Sequence, residues 1–254
     1  MTGAPGDIDD RRAIRARLDQ ERSRAGRLGE IREAIFGAQD GLVSTLAVVT
    51  TVSGATSDRL PVLIAGIATG LAGVFSMAAG EYLSSKSQRE ITLAQIALDR
   101  EKVATQRSLA QLELAFLLEE DGLLDEEAAA VAAVIARHSE VLLATKVEKE
   151  YGLALEEAAG SALQGAIVMG AAFGLGALAP ILPYLVLPIA LANYVAIAAT
   201  GAVLFAIGVT KTRWTLGNPL LSGLEILLVG TIAGVVGYLL GSVLPTMLGA
   251  PAST

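Results

Sequence analysis

Five apolar runs, each near or above the ~20 residues that cross a bilayer as a helix, limit what this chain can fold into. They cover roughly residues 34–56, 61–84, 158–181, 184–209 and 220–244. Backbone groups in hydrocarbon have to bond to one another, so runs of this length read as helices. The expected fold class is an all-α membrane protein with five transmembrane helices. A soluble domain of 254 residues could build its core without being 53% hydrophobic. Ser53-Gly54-Ala55-Thr56-Ser57-Asp58 reads as a turn, and Pro61 suits a first helical turn, where its missing N–H has no intrahelical partner. The first two helices thus form a tight antiparallel hairpin. Pro180 and Pro183 mark the turn after the third run, and Lys211-Thr212-Arg213-Trp214 the turn after the fourth. Gly66, Gly70, Gly73 and Gly80 suit close approach of helix backbones, as do the pairs Gly170 and Gly174, Gly230 and Gly234, and Gly237 and Gly241.

The polar segments set the domains. Residues 1–33 form a charged N-terminal arm with eight arginines and seven acids; 10–33 reads as a helix and 1–9 as a disordered tip. The first two spans occupy 34–84. Residues 85–156 are an acidic three-helix insert between the second and third spans. Residues 85–106 extend the second helix. A further helix covers 106–121, with Leu109, Leu112, Phe116 and Leu117 at helical spacing and Gly122 at its end. Asp125 reads as the next N-cap, with Glu126 and Glu127 in the first turn, and that helix runs to about Tyr151, where Gly152 stops it. The last three spans fill 157–245, and 246–254 is a tail. With an inside N-terminus, every Lys and Arg except Arg59 falls on the inside, so the arm and the insert are expected in the cytoplasm. No short apolar core with a small-residue cleavage site marks a secretory signal.

Asp40, in Ala38-Gln39-Asp40-Gly41-Leu42-Val43-Ser44-Thr45, is a carboxylate near one end of an apolar run. At membrane depth such a group costs at least ~2.5–3.5 kcal/mol on insertion scales. It reads either as a metal or proton site facing a polar cavity or as a helix-end acid reaching headgroup water. With no cysteine and a single histidine, His138, any metal chemistry rests on oxygen ligands and methionine sulfur. Met77 offers a thioether at membrane depth. Glu81 belongs at the interface, as a mouth residue or an ion-pair partner of Lys86, and His138 on a solvated surface. No G-x-x-x-x-G-K phosphate loop is present. One histidine leaves no triad, so the chain reads as no enzyme and needs no prosthetic group. Its net charge of −7 and few aromatics argue against nucleic-acid binding.

Asp40-Gly41-Leu42 in the first span, followed by Ser76-Met77, Gly80-Glu81-Tyr82-Leu83-Ser84, Ser87-Gln88 and Glu90, resembles the vacuolar iron transporter family. So does the order of two spans, an acidic insert and three spans; the likeness covers about residues 30–245. The resemblance implies a homodimer that exports Fe²⁺, often also Mn²⁺, from the cytoplasm against protons. It implies a path between two copies of the first helix, with Asp40 and Met77 as metal ligands. It also implies a metal-binding glutamate cluster in the insert, with a methionine on its last helix. Glu113 and Glu150 match that cluster, whereas Lys102, Thr105 and Phe116 stand where acids are expected, and Lys146 and Val147 stand where the methionine belongs. The insert's metal store is therefore weakened, shifted to Glu101, Glu113, Glu148 and Glu150, or lost. The rival reading is a non-transporting membrane sensor or scaffold. A compact Ala- and Gly-rich chain fits a prokaryotic plasma membrane, with a vacuole-type membrane as the other reading.

Overall fold

The computed structural model describes residues 8–151, 161–215 and 217–247, with side chains described at 11–22, 29–151, 161–215, 217–232 and 235. Regular structure among these residues is all helical: α1 (Ile8–Ala55), α2 (Arg59–Thr105), α3 (Arg107–Glu120), α4 (Asp125–Ile135), α5 (Ser139–Tyr151), α6 (Ala162–Val186), α7 (Ile189–Thr215) and α8 (Pro219–Met247). The chain divides into two compact units, Met1–Glu81 with Leu163–Thr254, and Tyr82–Ala162.

Among the described residues, four helical stretches are long and apolar enough to cross a membrane: Gly29–Ala55, the helix beginning at Arg59, Ala162–Val186 and Ile189–Thr215. The fifth run lies in α8, whose described apolar part is Pro219–Ile232. Leu60, Ile64, Ile67, Leu71 and Phe75 form an exposed stripe along α2 at helical spacing. In water a surface like this drives association, whereas acyl chains cover it readily. The chain is a multi-pass membrane protein.

Backbone contacts on α6 order the first unit. A Cβ added at Gly37 would lie 2.4 Å from the Met169 carbonyl oxygen, and one at Gly41 2.2 Å from that of Phe173. One at Gly176 would lie 2.4 Å from the Ala38 carbonyl oxygen. Three glycines thus let α1 and α6 touch backbone to backbone, running parallel. On α2, Gly73 meets the ring of the same Phe173, while Gly170 faces Val74 and Ala78, so α2 runs antiparallel to both. The expected hairpin is close where Gly66 faces Val49, but farther along Phe173 stands between Gly41 and Gly73. Gly80, expected at a close contact, has open space around it. Gly230 faces Leu204 and Val43, whereas the side-chain surroundings of Gly234, Gly237 and Gly241 lie outside the described residues.

Several boundaries differ from the sequence reading. The arm and the first span form one helix, which already includes Ile8 and Asp9; residues 1–7 lie outside the described residues. Helix α6 continues through Pro180 and Pro183 to Val186. Each proline removes one N–H from the ladder, a loss that membrane helices tolerate. The chain turns instead at Leu187-Pro188, and the Pro188 carbonyl accepts the first α7 bonds from Leu191 and Ala192, at 3.0 and 2.8 Å. Arg59 donates to the Leu185 and Leu187 carbonyls at 3.2 Å each, satisfying acceptors that the end of α6 leaves orphaned. This gives the one base assigned outside a local task.

The second unit packs the end of α2 with α3, α4 and α5 around Ile96, Val103, Leu114, Leu118, Leu142 and Val147. Among the described residues four helical segments build it, not three, because the segment expected to run unbroken to Tyr151 is divided between α4 and α5. At the break Arg107 Nε donates to the Ala136 carbonyl at 2.7 Å, satisfying an acceptor that the end of α4 leaves orphaned. Gly122, with φ +105°, makes the turn after α3 as expected. The N-cap of α4 is Leu124 instead of Asp125; the Glu127 carboxylate accepts its backbone N–H at 3.2 Å. Gly152 lies outside the described residues. Leu114 is fully buried in this core, so Leu114→Ala should remove about 2–5 kcal/mol from it. Hydrogen exchange on the full chain checks this: the α3 and α5 amides should exchange faster, and unchanged protection there would contradict the packing.

Candidate functional site

Contacts with α6 place the candidate residues of the first unit in levels. Gly41 and Gly73 share the Phe173 level. Asp40 directly precedes Gly41 on α1, and Met77, one turn past Gly73 on α2, packs against the cluster containing Phe173 and Ala177. Asp40 and Met77 are therefore held within about one turn, or ~5.4 Å, of the same depth. Both are half-buried. Ser44 donates to the Asp40 backbone carbonyl at 2.6 Å.

A second acidic level lies toward the start of α6, and the sequence reading missed half of it. Glu33 sits over Gly165, where an added Cβ would be 2.7 Å from Glu33 Oε2. That oxygen is buried and accepts no hydrogen bond. Glu81 of α2 lies close enough for its charge to act on Glu33. Eight residues of α6 separate Gly165 from Phe173, so the two levels are ~12 Å apart. A signal for Glu33 was present: it precedes Asp40 by seven residues, or two turns, and so shares its face of α1. Lys86, considered as a partner for Glu81, lies 3.8 Å from Glu90. Among the described residues no three acids or histidines converge on a metal-sized site within one chain.

The predicted acids of the second unit divide. Glu113 and Glu150 converge on Lys146: Nζ is 3.3 Å from Glu113 Oε2 and hydrogen-bonds Glu150 Oε2. Asp99, which was not singled out from the sequence, accepts from the same Nζ at 2.9 Å and from the Tyr151 hydroxyl at 3.0 Å. Burial alone would lower the Lys146 pKa, but the bonds to Glu150 and Asp99 outweigh it and hold the ammonium above the ordinary lysine range. Burial, then the Asp99 carboxylate, pushes the Tyr151 hydroxyl up to about 12. Glu101 and Glu148 are exposed, and His138 is exposed in the break between α4 and α5.

A model of the VIT family matches residues 31–242. The chain belongs to the VIT family. The matched span includes Glu33, Asp40, Met77, Glu81 and the whole second unit. Among its VIT-family relatives, vacuolar iron transporter 1 of Arabidopsis thaliana is 31% identical over 228 residues, 89% of this chain and 91% of the relative. The protein of the same name from Eucalyptus grandis is 31% identical over 238 residues, 93% and 94% of the two chains. The vacuolar iron transporter of Plasmodium falciparum is 28% identical over 223 residues, 84% and 82%. Along α1 and α2 of this VIT-family chain, Asp40 and Met77 thus lie at one depth, and Glu33 and Glu81 lie nearer the start of α6.

Proposed function

We propose that this protein exports divalent transition-metal ions, Fe²⁺ or Mn²⁺, from the cytoplasm in exchange for protons. It does so as a homodimer whose path runs between the two copies of α1. The observation that carries this reading is the shared depth of Asp40 and Met77, set by Gly41 and Gly73 against one residue of α6. Family membership and the relatives' names support metal as the cargo. One carboxylate and one thioether are too few ligands for an ion; a two-fold axis along α1 doubles both and brings two negative charges to a doubly charged ion. Glu33 and Glu81 gather ions at the mouth. Asp40 then binds the ion, and protonation of Asp40 from the far side displaces it. Two Asp40 carboxylates imply two protons per ion. All five apolar runs cross the membrane, with the arm and the second unit in the cytoplasm. The cytoplasm is the compartment emptied, whether the membrane is a prokaryotic plasma membrane or vacuole-type.

Proteoliposomes with an acidic lumen test this. Wild-type protein should take up Fe²⁺ or Mn²⁺ while the lumen turns alkaline; a folded preparation that moves neither ion overturns the proposal. Met77→Leu conserves volume and costs less than ~1.5 kcal/mol of packing. It removes the sulfur, so apparent ion affinity should fall about tenfold or more, the scale expected for a lost supporting contact. Wild-type flux in Met77→Leu would take Met77 out of the path. The sensor or scaffold alternative draws on the second unit, whose Asp99, Glu113 and Glu150 carboxylates already face Lys146; it requires that Asp40 variants leave cellular metal content unchanged.

A further inference from the structure

The centre of the second unit is a cation site that the chain fills itself. Lys146 is 1% exposed. Its Nζ lies 2.9 Å from Asp99 of α2 and 3.3 Å from Glu113 of α3, and it hydrogen-bonds Glu150 of α5. Three carboxylates from three helices meet at one ammonium, and with Lys146 at that point no three acids among the described residues form a group that could hold a metal ion. The Glu113 oxygen facing Nζ is buried and accepts no hydrogen bond, so a single ammonium leaves this acid set incompletely satisfied. Lys102, at 3.6 Å from the same Asp99 oxygen, adds charge from the rim. A metal ion cannot enter while Lys146 stays, because Nζ occupies the point where the carboxylates meet. Nor can Lys146 leave cheaply: Leu142, Leu143 and Val147 pack around its stretch of α5, and an uncompensated buried charge is strongly destabilising.

We infer that Lys146 is a tethered cation that closes the Asp99, Glu113 and Glu150 set to metal, and that removing its charge converts the set into a divalent-cation site. The second unit then folds without metal and stores none. This stands apart from the transport proposal, since every residue in it belongs to the second unit.

Mn²⁺ binding to the purified full-length chain, read from the EPR signal of the free aquo ion, tests the inference. Asp40→Asn serves as the background, to remove the transport-path carboxylate. Adding Lys146→Met should gain one bound Mn²⁺ per chain, and adding Glu113→Gln to that variant should lose it again. No gain in a folded Lys146→Met protein overturns the inference. So does a background chain that loses bound Mn²⁺ when Asp99, Glu113 and Glu150 are neutralised with Lys146 in place. Should Lys146→Met fail to fold, Lys146→Gln, whose amide can still donate to the carboxylates, takes its place. Failure of both variants to fold even in excess Mn²⁺ also counts against it, because a supplied cation should then replace the missing one.

Discussion

Asp40→Asn should abolish ion flux in proteoliposomes while leaving the protein folded. The carboxamide has nearly the same shape, and the Asp40 backbone carbonyl keeps its bond from Ser44. What disappears is one negative charge per chain near one end of an apolar span. A unit-charge pair 4 Å apart near a protein surface is worth ~4 kcal/mol. At 1.36 kcal/mol per factor of ten, losing one such attraction slows ion entry about a thousandfold. Asn also cannot take up a proton, so luminal alkalinisation should vanish together with metal uptake. Residual proton flux without metal flux would separate the two roles given to Asp40. Size-exclusion profiles matching wild type exclude misfolding as the cause.

The second large effect concerns the residue after it. Gly41→Ala should lower the melting temperature, although alanine favours a helix by roughly 0.5–1 kcal/mol over glycine. The new Cβ would lie 2.2 Å from the Phe173 carbonyl oxygen and 2.9 Å from its carbonyl carbon. Both are backbone atoms, so no side-chain rotation relieves the clash and α1 must move away from α6. Overpacking of this kind costs about 1–3 kcal/mol, which outweighs the propensity gain. The shift would also loosen the Gly37 and Gly176 contacts and carry Asp40 away from its level. Gly80→Ala is the control: with open space around it, propensity alone operates and stability should hold or rise. A Gly41→Ala protein as stable as wild type would contradict the α1–α6 packing.

The helical class and several bilayer-length helices were legible in the sequence because long apolar runs are a redundant signal. Gly122 was legible for a local reason, a turn that needs positive φ. What failed depends on partners distant in the chain. The α4–α5 break is bonded by Arg107 from another helix, and the alanine-rich stretch holds no glycine or proline to announce it. Pro180 and Pro183 read as a turn, yet a membrane helix absorbs them, and Pro188 is where the chain reverses. Asp40 and Met77 stood out as polar or soft groups in an apolar setting. Glu33 did not, because it follows a run of alternating charge and the domain boundary was drawn at its edge. Lys146 was noted only as an absent methionine. Its surroundings, acids from three separate helices, exist only in the folded unit. Gly41 was read as part of a motif around Asp40, and only the contact with Phe173 gives it a packing role.

The path between two copies of α1 can be tested most directly by cross-linking. The chain has no cysteine, so Phe36→Cys introduces a single thiol one turn before Asp40, at a position 57% exposed. In native membranes a short thiol-to-thiol reagent should join two copies at this position, and Phe75→Cys, on the outward stripe of α2, should stay monomeric. Phe36→Cys protein that remains monomeric while Phe75→Cys protein is joined would put the two Asp40 residues on opposite flanks of the assembly, and no shared path along α1 would remain.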